Sequence, residues 1–245
     1  TDVDALLAAW AAARGTPLEP NVLLALTDAA STHDLTAAER WLDAFRAAAT
    51  LAADHAIALE RGGRLAHLRG DVERARALLI AALEWPDAGD GTIRGAAIQL
   101  GELAREGGDL DAADRWYRRA VDGLGWFESG ELLLNGLLNL AVVALERGQP
   151  AVAREWLLAL DERCVGLPGS GVQLVHLVTA AAAAALGDLE EVDARLAHLW
   201  DGRADPMLRQ PDSVVLLEGI ADGVVGERGH LARRLADELR AALPR

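Results

Sequence analysis

Histidine and cysteine are the side chains of this 245-residue chain best suited to metal binding or nucleophilic chemistry. The six histidines are His33, His55, His67, His176, His198 and His230. None has zinc-type spacing with Cys164, and the sequence holds no HExxH motif. His55 and His67 fall near one face of one predicted helix, which fits ordinary half-buried polar positions. A lone Cys164 without an evident activating partner is interpreted as a packing residue. We therefore expect no metal site and no cofactor.

Two glycine-rich segments, residues 89–92 and 166–171, could be mistaken for phosphate-binding loops. All 24 basic residues are Arg, so no P-loop lysine follows either segment and no Schiff base can form. No predicted strand precedes segment 166–171. Both segments are interpreted as connections between helices, and we expect that the chain is not an enzyme.

Composition and charge restrict the remaining functions. Hydrophobic residues make up 51% of the chain, much of it Ala and Leu, and aromatic residues only 4%, which favours an all-α fold. A net charge of −14 argues against nucleic acid and against anionic membranes as partners. A single cysteine fits a reducing cytoplasm. No stretch is long enough to span a bilayer, and no signal peptide is expected.

A turn motif recurs roughly every 40 residues. It consists of a small residue, often followed by Asp, and then an apolar residue. The six turns begin at His33, Gly70, Gly108, Gly148, Gly187 and Gly229. Gly can close a helix in the left-handed conformation, which a residue such as His33 also tolerates, and Asp can cap the helix that follows. Each unit therefore reads as a helix, a tight turn and a second helix, which together must stack on a neighbour to bury their apolar faces.

Apolar spacing and cap signals predict thirteen helices. They span residues 2–14, 20–31, 34–48, 51–68, 71–84, 92–106, 110–122, 130–147, 150–163, 171–186, 189–200, 212–227 and 230–242. The longest loop, residues 201–211, contains two prolines and is expected to be mobile.

The third unit resembles the tetratricopeptide-repeat signature in residue type, order and spacing. The residues that carry the resemblance are Leu100, Gly101, Ala104, Gly108, Asp109, Leu110, Ala113, Tyr117 and Ala120. The resemblance implies one repeat domain over residues 1–245, an all-α right-handed superhelical solenoid of about six hairpins. A glycine inside a helix costs about 1 kcal/mol relative to Ala, so we expect Gly101 to face a neighbouring helix that leaves no room for a side chain.

The family resemblance also implies a binding surface, because the first helices of successive hairpins line a concave groove. The groove positions chosen by this analogy and by helical spacing are Glu60, Arg64, His67, Ile98, Glu102, Arg105, Asn135, Leu138, Asn139, Val142, Leu174 and Leu177. Arg64 and Arg105 either pair with an acidic group of a ligand or form ion pairs with carboxylates one turn away on their own helices. Lacking Lys, the chain does not fit the family members that clamp a terminal carboxylate.

These features favour a non-catalytic scaffold that binds a protein or peptide in the groove. The alternative is a sensor segment of a larger bacterial signalling protein, a transcription regulator or a kinase, that responds to an effector or partner. The helix within residues 1–14 is either a capping helix or half of a truncated repeat, and the second interpretation would make the chain part of a larger protein. An uncapped terminal repeat would also allow self-association.

Overall fold

The computed structural model describes residues 3–122, 130–163 and 171–243 of the chain. Across these ranges the secondary structure consists of thirteen α-helices and one 3-10 turn, without a strand. The prediction of an all-α fold built from helix hairpins is therefore confirmed. No helix in the described ranges is both long and apolar enough to cross a membrane.

The chain divides into two compact units, residues 1–120 and 121–245. The helices of the first unit are α1 Val3–Ala13, α2 Glu19–Ala30, α3 Leu35–Ala48, α4 Ala52–Leu68, α5 Val72–Glu84, α6 Asp90–Glu106 and α7 Leu110–Val121. Those of the second unit are α8 Gly130–Glu146, α9 Pro150–Arg163, α10 Val172–Leu186, α11 Leu189–Asp201, α12 Pro211–Gly223 and α13 Glu227–Ala242. The prediction of one repeat domain over the whole length stays a prediction.

Each even-numbered helix from α2 to α12 is the first helix of a hairpin, and the helix after it is the second. In the first unit α4 packs against α3, α5 and α6. In the second unit α10 packs against α8, α9, α11 and α12. A first helix in the middle of a unit therefore has neighbours on several sides, which buries most of its surface.

The turn between α6 and α7 shows how the repeat motif closes a hairpin. Gly108 has a φ of 79°, and its N–H donates to the carbonyl of Arg105 at 2.9 Å while the N–H of Asp109 donates to the carbonyl of Ala104 at 2.9 Å. This is the Schellman arrangement, in which a left-handed residue satisfies the last helical carbonyls. The Asp109 side chain then accepts from the N–H of Ala112 at 2.9 Å and caps α7. The same backbone bonds close α4, α8 and α10, so local chemistry sets the hairpins.

One turn prediction is wrong, and the turn at His33 is present but closes without a left-handed residue. The last turn lies at residues 224–226, where Gly226 has positive φ, and Gly229 lies inside α13. A Cβ on Gly229 would lie 2.7 Å from the carbonyl oxygen of Val224, so this glycine permits close packing rather than a turn. His33 is not left-handed, because in the described part of the chain the one non-glycine residue with positive φ is Asp87.

The loop between α11 and α12, expected to be mobile, is tied to the core of the second unit. It contains the 3-10 turn Pro206–Leu208, which Asp205 caps by accepting from the N–H of Met207 at 2.9 Å. Leu208 is buried among the apolar residues of α10, α11, α12 and α13. Burying one leucine contributes about 1.5–3 kcal/mol, which anchors the loop.

Close approach of paired helices depends on glycine at two equivalent positions. A Cβ on Gly101 would lie 2.5 Å from Cε1 of the fully buried Tyr117 on α7. A Cβ on Gly63 would lie 2.6 Å from Cγ of Leu79 on α5. The expectation that Gly101 faces a neighbouring helix without room for a side chain is confirmed.

This packing predicts opposite effects for two glycine-to-alanine changes. Gly101→Ala should destabilise the protein by about 1–3 kcal/mol, because the new methyl group overlaps the Tyr117 ring. Gly219 lies in α12, and nothing lies within 4 Å of the point that a Cβ on it would occupy. Gly219→Ala should therefore stabilise by about 0.5–1 kcal/mol through helix propensity. The midpoint of urea unfolding measures both. A midpoint for Gly101→Ala that is equal to or higher than that of the parent protein would contradict the α6–α7 packing.

Candidate functional site

Burial divides the predicted groove positions into two groups. Four of them are core positions: Glu60, Ile98, Leu138 and Leu177. Leu177 is 0% exposed and packs in the apolar core of the second unit. The prediction that these four side chains line an accessible groove is wrong, because first helices with several neighbours leave only a narrow stripe open.

The other predicted positions are partly exposed. They are Arg64 and His67 on α4, Glu102 and Arg105 on α6, Asn135, Asn139 and Val142 on α8, and Leu174 on α10. Of these, Leu174 packs against the core of the second unit. Their role in partner binding stays a prediction.

The first unit brings four of the predicted residues into one polar surface. Glu102 of α6 interacts electrostatically with His67 and Arg64 of α4 and with Arg105 of its own helix. His67 also lies within hydrogen-bond distance of Glu106, with 2.8 Å between Nε2 and Oε2. We call these five residues, Arg64, His67, Glu102, Arg105 and Glu106, the polar face.

The surroundings of Glu102 on the polar face shift its acidity. Burial raises the pKa of Glu102 above its ordinary value, and the charge on Glu106 raises it further. His67, Arg105 and Arg64 oppose this effect and do not cancel it. A carboxyl that is largely removed from water has already lost most of its hydration, so pairing with a partner's basic group adds little further desolvation cost.

Next to the polar face lies a partly buried ionic cluster that the sequence does not predict. Arg61 Nε lies 2.8 Å from Asp28 Oδ1, and Arg64 Nη1 lies 3.7 Å from the same oxygen. Arg61 also forms an ion pair with Glu60, which is 3% exposed. The cluster joins α2 to α4. Arg64 therefore pairs with a carboxylate on a neighbouring helix and not only with carboxylates on its own helix.

Glu60 links this cluster to α6. A Cβ on Gly95 would lie 3.4 Å from Glu60 Oε1, an ordinary contact distance, so the Glu60 carboxyl lies directly against α6. Burial raises the pKa of Glu60, since Arg61 offsets only part of the desolvation. The sequence signal for this contact is the glycine at position 95 on the first helix of the next hairpin. Helical spacing alone does not distinguish it from other glycines.

His55 and His67, the two histidines considered as metal ligands, have different partners in the structure. His55 lies against Trp85 with 5.7 Å between ring centroids, whereas His67 bonds Glu106. In the described ranges no group of three or more His, Cys, Asp or Glu side chains is arranged to hold a metal ion. Cys164 and residues 166–170 of the glycine-rich segment lie outside the described residues.

The raised pKa of Glu102 predicts how stability depends on pH. The folded state binds this proton more tightly than the unfolded state, so the contribution is complete below about pH 4.5 and is lost as pH rises through the folded pKa. Glu102→Gln, a neutral isostere, should therefore melt at a higher temperature than the parent protein near neutral pH. The difference should disappear as the pH falls towards about 4. Thermal melts followed by circular dichroism at a series of pH values measure it.

Glu39 provides a control of opposite sign. Arg69 donates hydrogen bonds at 2.9 and 2.8 Å to the two oxygens of Glu39 and thereby lowers its pKa. Glu39→Gln should melt at a lower temperature near neutral pH, and the deficit should disappear as the pH falls through the folded pKa. If Glu102→Gln also lowers the melting temperature near neutral pH, the environment described for Glu102 is wrong.

Comparisons with known proteins bear on the fold alone. No family model matches the sequence, and no curated protein matches it. Among solved structures, the crystal structure of BtubC (BKLC) from P. vanneervenii is similar, with a TM-score of 0.55 and 15% identity over 99% of this chain and 92% of that chain. The chain thus shares an all-α fold with BtubC over nearly its whole length.

Proposed function

We propose that this chain is a non-catalytic scaffold of the tetratricopeptide-repeat type that binds a protein or peptide segment on the polar face of α4 and α6. The observation that carries the proposal is the set of partly exposed charges, from two neighbouring first helices, that the fold brings together at Glu102. In the described residues this surface contains no group of side chains arranged for metal chemistry.

The polar face suits a ligand that carries hydrogen-bond donors and charges of both signs. A helix satisfies its own backbone groups, so a partner must be recognised by side chains.

The repeat type is supported by the roles of the signature residues. Ala113 and Ala120 of α7 are fully buried, where the tetratricopeptide resemblance expects small residues. Tyr117 covers Gly101 of the paired helix. These contacts match the packing reasons for which the signature has small residues at these points, and they support membership of that family.

The proposed location is the cytoplasm. The support is compositional, since a single cysteine among 245 residues leaves no internal disulfide to be formed in an oxidising compartment. A cytoplasmic partner would meet a surface of strong negative charge, because the net charge is −14. Basic segments are therefore expected to associate fastest.

Selection from a random peptide library displayed on phage tests the proposal. Peptides enriched on the parent protein should bind Arg64→Glu at least about tenfold more weakly, because reversal of one partly desolvated charge removes a charge-assisted contact. The matched control is Arg118→Glu, which changes an exposed arginine that pairs with Asp114 on the second helix α7. Binding to that variant should change less than about twofold.

Two results would overturn the assignment of the polar face. One is enrichment of no peptide above the background of uncoated wells. The other is equal loss of binding in Arg64→Glu and Arg118→Glu, which would make the effect a general response to net charge.

A further inference from the structure

Two clefts occupy the same place in the repeat. One of about 140 Å³ lies between α5 and the hairpin α6–α7, and one of about 190 Å³ lies between α9 and the hairpin α10–α11. Each has an arginine of the earlier second helix on one side, Arg76 or Arg154, and a helix-capping aspartate on the other, Asp109 or Asp188. Both arginines follow the turn glycine of their hairpin by six residues. The clefts are therefore comparable position by position, and we call them the first-unit cleft and the second-unit cleft.

The floor of the second-unit cleft has smaller side chains. Thr179 and Ala182 stand where the first-unit cleft has Leu100 and Leu103. The remaining floor of the second-unit cleft is apolar and includes the buried Leu157. The larger volume of this cleft thus follows from two truncated side chains.

The rim of the second-unit cleft has charged residues in place of apolar ones. Glu191 and Arg195 stand where the first-unit cleft has Ala112 and Trp116. Arg195 is held in place, because its Nε donates to Glu191 at 2.7 Å and its Nη1 lies 3.0 Å from Nδ1 of His176. With Arg154 and Asp188, the rim carries two positive and two negative side chains.

Arg154 and Asp188 are only loosely paired. Their closest nitrogen and oxygen are 3.7 Å apart, and the Arg154 side chain is 56% exposed. At two other points in the array the equivalent position forms a two-bond ion pair with the next hairpin. Asp193 accepts from Arg228 at 2.6 Å through both oxygens, and Glu39 accepts from Arg69 in the same way. The second-unit cleft therefore keeps an ionic pair that a ligand can enter.

From this geometry we propose that the second-unit cleft binds a free α-amino acid with an aliphatic side chain. The ligand carboxylate pairs with Arg154, its ammonium group pairs with Asp188, and its side chain lies on the floor of Leu157 and Ala182. An anion would face the carboxylates of Asp188 and Glu191 and a cation would face two guanidinium groups, so a zwitterion is favoured. Pockets for drug-sized ligands span about 300–1,000 Å³, and this smaller cleft suits a smaller molecule.

Isothermal titration calorimetry with L-leucine as the probe tests the assignment on the full chain. The parent protein should show saturable binding with a Kd of about 1 mM or tighter. Leucinamide, which lacks the carboxylate, and N-acetylleucine, which lacks the ammonium group, should each bind at least about tenfold more weakly. These analogues test the proposal without any change in the protein.

Arg154→Gln and Arg76→Gln form a matched pair of variants. Both remove an arginine from the same place in the repeat, and only Arg154 belongs to the second-unit cleft. Arg154→Gln should weaken L-leucine binding at least about tenfold, and Arg76→Gln should change it less than about twofold. Circular dichroism melts confirm that each variant folds.

Any of three results would overturn the proposal: no heat of binding from the parent protein at about 50 mM L-leucine, equal affinity for L-leucine and either analogue, or equal losses in the two variants. The polar face shares no residue with the second-unit cleft, so these results leave the peptide-binding proposal to its own test.

Discussion

The close approach of paired helices is the constraint on which the rest of this structure depends. Gly101 allows α6 to lie directly against the ring of Tyr117, and Gly63 does the same for α4 against Leu79. At this separation a hairpin presents a tightly packed apolar surface to its neighbours, which supply the rest of its burial. The first helices are consequently covered on several sides, and only a narrow stripe of each remains open to solvent.

That crowding also explains the chemistry of the polar face. Charged side chains on a covered helix lose contact with water, which raises the pKa values of Glu60 and Glu102. Neighbouring arginines interact electrostatically with both carboxyls. A buried ion pair contributes little net stability, because desolvation opposes the Coulomb attraction. The Asp28–Arg61–Glu60 cluster is better explained by register, because it links α2, α4 and α6 in one relative position.

Features determined within a few residues could be predicted from the sequence, and features determined by neighbouring hairpins could not. The turns at Gly70, Gly108, Gly148 and Gly187 depend on a local left-handed residue, and the structure has them where the motif predicts. The turn predicted at Gly229 is wrong because glycine also serves close packing, and the turn residue Gly226 lies only three positions earlier. The burial of Leu177 depends on residues of α11 and α12, which helical spacing on α10 does not reveal.

Departures from the repeat are the better guide to specific function. Every hairpin needs its turn and its small contact residues, so these positions report the fold alone. The position six residues after the turn is occupied by charged residues that include Glu39, Arg76, Arg154 and Asp193. The sign of the charge differs between hairpins, but Glu39, Arg154 and Asp193 each form an ion pair with the next hairpin. A tight link at Glu39 or Asp193 serves stability. In the second-unit cleft the ion pair is loose, and the floor has the smaller side chains Thr179 and Ala182. Packing alone does not explain these smaller side chains, because larger ones fill the equivalent space in the first unit. A loss of packing that coincides with new charges on the rim is what selection for a ligand would produce.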